Sequence, residues 1–328
     1  MPRNIALVGC GAIARAFYLP ALAKHRAEFG HLWFVDPSDH AVSNAASVVP
    51  GSPAHKLTDV DDEINLVIVA SPNHLHFQIA YEALSRGADV LIEKPFVICP
   101  KDGRNLVEAA AANGRVIVVN QTRRLFPIAR DLRRRLGEGE FGALKSIVHW
   151  EGTKLNWPFE SGAAFSRGAQ RTGVIMDFGV HVIDFYHYLL EPTWTFISAI
   201  HDGFNGPEGL AEIELRANKV PISIRLSRYH AQENIAHLIF ERADVSFGVF
   251  DSATYFVRSD SGKPKSFAIG NAKSEYSKHA ESLLLNFLAA TEKREPAICD
   301  ARSALPVIDI LDEIYRSARR YPENFGSV

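Results

Sequence analysis

The opening of the chain constrains the fold more than any other stretch. Ile5-Ala6-Leu7-Val8 is a short apolar run that passes without a linker into Gly9-Cys10-Gly11-Ala12-Ile13-Ala14. The apolar run reads as a buried strand, and the G-x-G-x-x-A spacing reads as the turn from that strand into a helix. Gly9 permits the tight turn, Gly11 lets backbone approach a pyrophosphate, and Ala14 keeps helix and strand close. The helix start then offers N–H groups and a partial positive charge to the phosphates.

The second strand, His31–Val35, ends in Asp36. A carboxylate there accepts hydrogen bonds from adenosine ribose hydroxyls and repels a 2′-phosphate. Pro37, Ser38, Asp39 and His40 follow, with no arginine. NAD is therefore the expected cofactor, with NADP as the alternative; a plain turn acid before proline is the weaker reading. Leu66–Ala70 is apolar throughout and reads as a strand buried on both faces. Ser71-Pro72-Asn73-His74-Leu75-His76 breaks it and opens a helix through Arg86. Asn73 is placed to cap that helix or to touch the nicotinamide ribose, and His76 suits a structural role at the helix start.

Asp89–Ile92 forms the next buried strand, ending abruptly in Glu93-Lys94-Pro95. Pro95 lacks an N–H and pushes Lys94 toward an extended conformation, so the strand must stop. Ligands of open α/β sheets bind at that edge, although on the tripeptide alone a plain solvated strand end is the preferred reading. A helix over Lys101–Asn113 and a strand over Val116–Val119 complete an alternation that predicts a doubly wound parallel sheet for residues 1–122.

From residue 123 onward the pattern changes. After a helix to about Leu136, strand-like segments follow at Ser146–Glu151, Thr195–Ile200, Ala211–Leu215, Ile222–Ser227, Ala236–Glu241 and Val245–Phe250. Their alternation predicts a large, mostly antiparallel open sheet with one face on a core. Helices return at Lys278–Thr291 and Ala301–Arg319. The expected class is α/β: an N-terminal Rossmann domain, 1–122, and a C-terminal α/β domain, 123–328, with the last helix packing back on the first domain. Within the second part, Val174–Asp184 reads as a helix on which Asp177, His181 and Asp184 share one stripe. A surface Asp–His pair is the plainer reading. Gly179 costs that helix roughly 1 kcal/mol relative to Ala, which suggests close approach by a ligand or another backbone.

Charge and composition remove several classes. A net charge of −2 gives no case for nucleic acid or an acidic membrane surface. No apolar run approaches the ~20 residues of a membrane helix. Cys10, Cys99 and Cys299 are widely separated and odd in number, which predicts neither a disulfide framework nor a metal site and suits a reducing compartment. Without a signal peptide, the expected location is cytoplasmic.

Taken in order, Gly9–Ala14, Ser71-Pro72-Asn73 with His76, Glu93-Lys94-Pro95, Arg123-Arg124 with Pro127, and Asp177-x-x-x-His181-x-x-Asp184 resemble the Gfo/Idh/MocA family of glucose–fructose oxidoreductase and inositol 2-dehydrogenase. The resemblance implies NAD(P) chemistry on a sugar or cyclitol. It also implies a homodimer or homotetramer built through the open sheet, and a cis peptide at Lys94–Pro95. By motif position it gives Lys94, Asp177 and His181 catalytic places. The expected cofactor contacts are Gly9, Gly11, Ala12, Ile13, Asp36, Ser71, Pro72, Asn73, His76, Glu93, Lys94 and Gln121. The expected substrate contacts are Lys94, Arg124, Asn156, Arg171, Asp177, His181 and Asp184. The family often has three glycines before the second-domain helix, where this chain has Arg171-Thr172-Gly173. That departure reads either as an arginine for a substrate carboxylate or phosphate, or as loop variation. Thr153–Gln170 carries no legible motif and is expected to help set specificity.

In the expected reaction His181 removes the hydroxyl proton as hydride leaves carbon. Lys94 stabilises the alkoxide, and Asp177 positions substrate or supports the charge arrangement. Three other readings stand beside it: an NAD-dependent glycoside hydrolase working by transient oxidation, a non-catalytic NAD-binding regulator, and a sugar-binding protein that has lost its cofactor, against which Gly9, Gly11 and Asp36 argue.

Overall fold

The computed structural model describes residues 2–60, 63–154, 171–203, 206–259, 262–270 and 276–322. In chain order the elements are β1 (Arg3–Val8), α1 (Leu19–Lys24), β2 (Phe29–Val35), α2 (Asp39–Val48), β3 (Ser52–Ala54), β4 (Leu66–Val69), α3 (His76–Ser85), β5 (Asp89–Ile92), α4 (Pro100–Asn113), β6 (Ile117–Val119), α5 (Pro127–Gly137), β7 (Leu144–Gly152), α6 (Val180–Leu190), β8 (Trp194–His201), β9 (Leu210–Ala217), β10 (Val220–Ser227), β11 (Ile235–Phe240), β12 (Ala243–Gly248), β13 (Thr254–Ser259), β14 (Lys265–Ala268), α7 (Tyr276–Thr291), α8 (Ala301–Ser317) and β15 (Arg319–Arg320). Two π-helical turns, Ala14–Tyr18 and Ile175–Gly179, lead into α1 and α6. The chain divides into two compact units. One comprises Met1–Thr122 with Glu275–Ile308, and the other Arg123–Trp157, Ser161–Ser274 and Asp309–Val328.

The first unit holds a six-stranded sheet in the order β3-β2-β1-β4-β5-β6, with every neighbouring pair parallel. This is the doubly wound order whose direction of winding reverses between β1 and β4. The side chains of β4 and of Val90–Ile92 are wholly buried, as expected of central strands covered on both faces. β3 was not expected; it is three residues long, contains Pro53 and pairs at the edge with β2, where proline is tolerated. α7 packs on α1, on the Ala14–Tyr18 turn and on β5.

The second unit carries a nine-stranded sheet in the order β14-β13-β12-β11-β7-β10-β9-β8-β15. All neighbours are antiparallel except β7 with β10 and β8 with β15. In β9, Ala211, Ile213 and Leu215 are buried while Glu212, Glu214 and Arg216 are exposed. That alternation puts one face of the sheet on a core and leaves the other open. The core face meets α6, where Phe185 lies 5.5 Å from Phe247 and, edge-on, 5.5 Å from Tyr186.

Candidate functional site

In the first unit the strand exits fall where the winding order reverses. Gly9 follows β1 with φ +92°, and a Cβ there would lie 2.6 Å from the Ala70 carbonyl carbon and oxygen at the exit of β4. Any side chain would therefore push these two exits apart. A Cβ on Gly11 would meet nothing within 4 Å, so open space lies over the start of the helix. The Arg15 N–H bonds to the Gly11 carbonyl at 3.0 Å. The N–H groups of Ala12 and Ile13 thus belong to the helix's first turn, which has no intrahelical acceptors.

Asp36 closes this turn from the side. Its Oδ2 accepts from the Cys10 N–H at 2.9 Å and its Oδ1 from the Ser38 N–H at 2.9 Å. Burial, reinforced by the Asp36 charge, pushes the Cys10 thiol up to about 12, so it stays protonated.

At the β4 exit, Asn73 caps neither its own turn nor α3; of the two roles expected for it, the capping role is not found. His76 is fully buried, with Nδ1 2.8 Å from the Pro95 carbonyl and Nε2 2.8 Å from the Ser71 carbonyl. It therefore ties the loop after β4 to the loop after β5. A neutral imidazole has one N–H, so His76 donates to one of these carbonyls and only abuts the other; lying between them, it is placed to position the Ser71 and Lys94 loops. Pro72 is exposed beside it.

Lys94 is half-buried directly after β5, and the Lys94–Pro95 peptide is cis. Glu93 is buried and turned inward: its Oε1 accepts from the Tyr18 hydroxyl at 2.7 Å and from Asn120 Nδ2. Three further buried atoms near the strand exits, Ser71 Oγ, Asn120 Oδ1 and Gln121 Oε1, have no hydrogen-bond partner in the protein. Buried polar atoms are seldom left so. These, with the open space over Gly11, fit the polar groups and pyrophosphate of a dinucleotide.

The second unit brings a different set together around α6. Asp177, on the wide turn before α6, pairs with Arg228, the residue after β10. The Arg228 guanidinium lies 3.8 Å from the centre of the Phe178 ring, and burial pulls it down to about 10. His181 follows one turn later and is buried. A Cβ on Gly179 would meet Leu226 at 3.4 Å, an ordinary contact. Of the two approaches expected there, that of another backbone is not found.

Asp184 has a partner of its own. Arg124 donates to it twice, Nε to Oδ2 at 2.9 Å and Nη2 to Oδ1 at 2.6 Å, with side chains 4% and 0% exposed. The neighbouring Arg123 grips Glu151 on β7 in the same bidentate way, at 2.8 and 2.6 Å. Glu151 in turn lies 3.1 Å from His149 Nε2, and His149 Nδ1 lies 2.9 Å from the Tyr186 hydroxyl. Burial would raise the Glu151 carboxyl, but Arg123 and His149 outweigh it and hold it at about 2. An anionic Glu151 can only accept, so His149 Nε2 carries the proton and Nδ1 accepts from Tyr186.

Arg171 adopts φ +57°, reaches Asp312 at 2.5 Å and lies 5.4 Å from the Tyr315 ring. At Gly173 a Cβ would fall 2.2 Å from the Glu208 carboxylate. Glu208 is buried and accepts from the Ile175 N–H at 3.0 Å and the Tyr315 hydroxyl at 2.7 Å, so it caps the turn that carries Asp177. Asn156 lies outside the described residues. Among the described residues no cluster of His, Cys, Asp and Glu could hold a metal ion, and no helix is long and apolar enough to cross a membrane.

Residues 3–121 match the family model described as "Oxidoreductase family, NAD-binding Rossmann fold". That stretch is thus similar to the NAD-binding part of the Gfo/Idh/MocA oxidoreductases. A curated relative, 1,5-anhydro-D-fructose reductase of Ensifer adhaerens, is 27% identical over 221 residues, 63% of this chain and 62% of its own length. The chain spans only 51–62% of the first three curated relatives it matches.

Among solved structures, KijD10, a 3-ketoreductase from Actinomadura kijaniata in complex with NADP and TDP-benzene, superposes with a TM-score of 0.84. It covers 98% of this chain and 100% of that one at 18% identity. Levoglucosan dehydrogenase with NADH and levoglucosan gives 0.82 over 97% of each chain at 19% identity. At these identities the likeness is one of fold.

The family pattern does not point to Tyr18, Asn120, Glu208 or Arg228. Tyr18 hides in the apolar face of its helix, and Arg228 stands 51 residues from Asp177 in the sequence (228 − 177). Only the last had a signal: a lone arginine directly after an alternating strand.

Proposed function

We propose that this protein is an NAD-dependent oxidoreductase moving hydride between nicotinamide and a secondary alcohol or ketone of a sugar, cyclitol or nucleotide sugar. The observation that carries the reading is the set of buried, unpartnered acceptors at the strand exits, Ser71 Oγ, Asn120 Oδ1 and Gln121 Oε1, on either side of the β5 exit that ends in Lys94. Such atoms call for a polar ligand.

The nicotinamide supplies the hydride acceptor or donor. The chain supplies the rest. Gly9, Gly11 and the first-turn N–H groups take the pyrophosphate, and Ser71, Asn73 and Gln121 take the nicotinamide end. Asp36, anchored by two backbone N–H groups, takes the ribose diol and sets a fixed negative charge against a 2′-phosphate. Lys94 donates to the reacting oxygen and stabilises alkoxide charge. His181 holds the hydroxyl proton during oxidation and returns it during reduction. Asp177 carries the Arg228 charge beside it, and the pair orients substrate polar groups. Arg124 and Asp184 hold α6 in place rather than bind hydroxyls.

The relatives named above act on sugars or are bound to sugars and nucleotide analogues, which supports the substrate class. The test is a screen with NAD and NADP against sugars, inositols, sugar acids and nucleotide sugars, followed by nicotinamide absorbance. Net reduction of NAD that disappears in Lys94→Ala and His181→Ala, with cofactor binding retained, supports the reading. Near-normal turnover in both variants overturns it.

A further inference from the structure

Glu93 is a buried charge that the proposed chemistry leaves unused. It stands between β5 and Lys94, and every group against its carboxylate is a donor. Oε1 receives the Tyr18 hydroxyl at 2.7 Å and an Asn120 Nδ2 proton. Oε2 receives the backbone N–H of Lys94 at 3.2 Å. Asn120 Nδ2 also donates to the Tyr18 oxygen at 2.9 Å. The proton count closes: tyrosine gives its one, and the amide gives one to each oxygen. A protonated Glu93 could donate only by displacing one of these protons, so this arrangement of donors favours the carboxylate.

Tyr18 closes the wide turn after the glycine motif and is 1% exposed; Asn120 follows β6. The three residues therefore join the pyrophosphate helix, the lysine strand and the next strand. We propose that Tyr18, Glu93 and Asn120 form a positioning triad for Lys94, in which the carboxylate pins the lysine's backbone and, when ionised, sets its charge against the lysine's ammonium. The proposal rests on Lys94 being the working lysine of the function above.

Burial pushes the Glu93 carboxyl up, and Tyr18, Asn120 and Lys94 pull it only part of the way back, so it stays above the usual glutamate range. The titratable and charged groups on the packed elements include Arg15 and Tyr18 on the turn, buried Asp89 on β5, Lys94 after it, buried His76 on α3, and Lys278, buried His279 and Glu281 on α7.

The test reads Lys94 directly and needs no substrate. Lysines of the full chain are reductively methylated with ¹³C and followed by NMR across pH, with Lys94 assigned through Lys94→Arg. The wild-type resonance should show the lysine's own titration and a second, acid-side inflection from Glu93. Glu93→Gln should erase that inflection and lower the lysine's own midpoint by about one pH unit. Tyr18→Phe, which keeps the ring and removes one donor, should move the inflection to higher pH. His279→Gln should leave it in place. If Glu93→Gln does not fold, Tyr18→Phe decides. A Lys94 titration identical to wild type in the folded variants overturns the triad. Undiminished turnover in Lys94→Ala would instead overturn the assigned function and leave these titrations as expected.

Discussion

Arg124 and Asp184 are locked face to face, two guanidinium nitrogens on two carboxylate oxygens, with almost no solvent on either. Removing one partner of such a pair strands a buried charge, which costs about 3–5 kcal/mol. Arg124→Met alone should therefore lower stability by that amount in urea unfolding. The double variant Arg124→Met, Asp184→Leu should recover most of the loss. A double variant as unstable as the single would show that the pair has no mutual role.

The acid limb of stability should fall in two steps. His76 and His149 are both held below the ordinary histidine range, chiefly by burial. The unfolded chain takes up protons that they refuse, so their contribution is complete above about pH 6.5 and declines as pH drops below it. Glu151, held at about 2 against a usual 4.5, adds a second decline between those values. Urea midpoints measured from pH 8 to pH 3 check this, and the lower step should vanish in Glu151→Gln.

Two glycines of one motif should respond oppositely. Gly9→Ala places a methyl group against the Ala70 carbonyl in a left-handed backbone, and thermal melting should show clear destabilisation. Gly11→Ala adds a methyl into open space, so melting should be unchanged. NADH fluorescence titration should nevertheless show binding weakened by roughly tenfold, equivalent to about 1.4 kcal/mol.

Glu208 should matter to the helix it caps. Glu208→Ala removes the acceptor of the Ile175 N–H and the Tyr315 hydroxyl, at a cost of about 1–3 kcal/mol. Glu208→Gln keeps an acceptor and should cost less. Gly173→Ala should be destabilising in the wild-type background and milder once Glu208 is alanine, because the collision partner is gone. Thermal melting of all four proteins reads the coupling.

The fold was legible where pattern and burial coincide. The runs at β1, β4 and β5 are continuous and apolar because those strands are covered on both faces, and the alternation in β9 follows from its one open face. β13 and β14 escaped because their exposed ends carry Arg258, Lys265 and Ser266 rather than an alternating pattern. β15 is two residues long, too short for any period to register. The glycine turn and Asp36 could be placed because their geometry is local. Arg124 and Asp184 were expected to meet substrate because each is charged and near a motif. That each is the other's partner is a long-range fact, 60 residues apart, which spacing does not encode. His76 was readable as structural, but its two carbonyl partners lie in loops from different strands.

The two wide turns, Ala14–Tyr18 and Ile175–Gly179, have a consequence for how this chain can change. A π turn holds one residue more than an α turn. Deleting one residue from either would let the backbone close as regular helix and shift the residues that the wide turn itself carries. Tyr18 and Asp177 would then keep their identities and lose their aim. Length at these two places is inherited information in its own right, and a one-codon deletion there should do more harm than most substitutions.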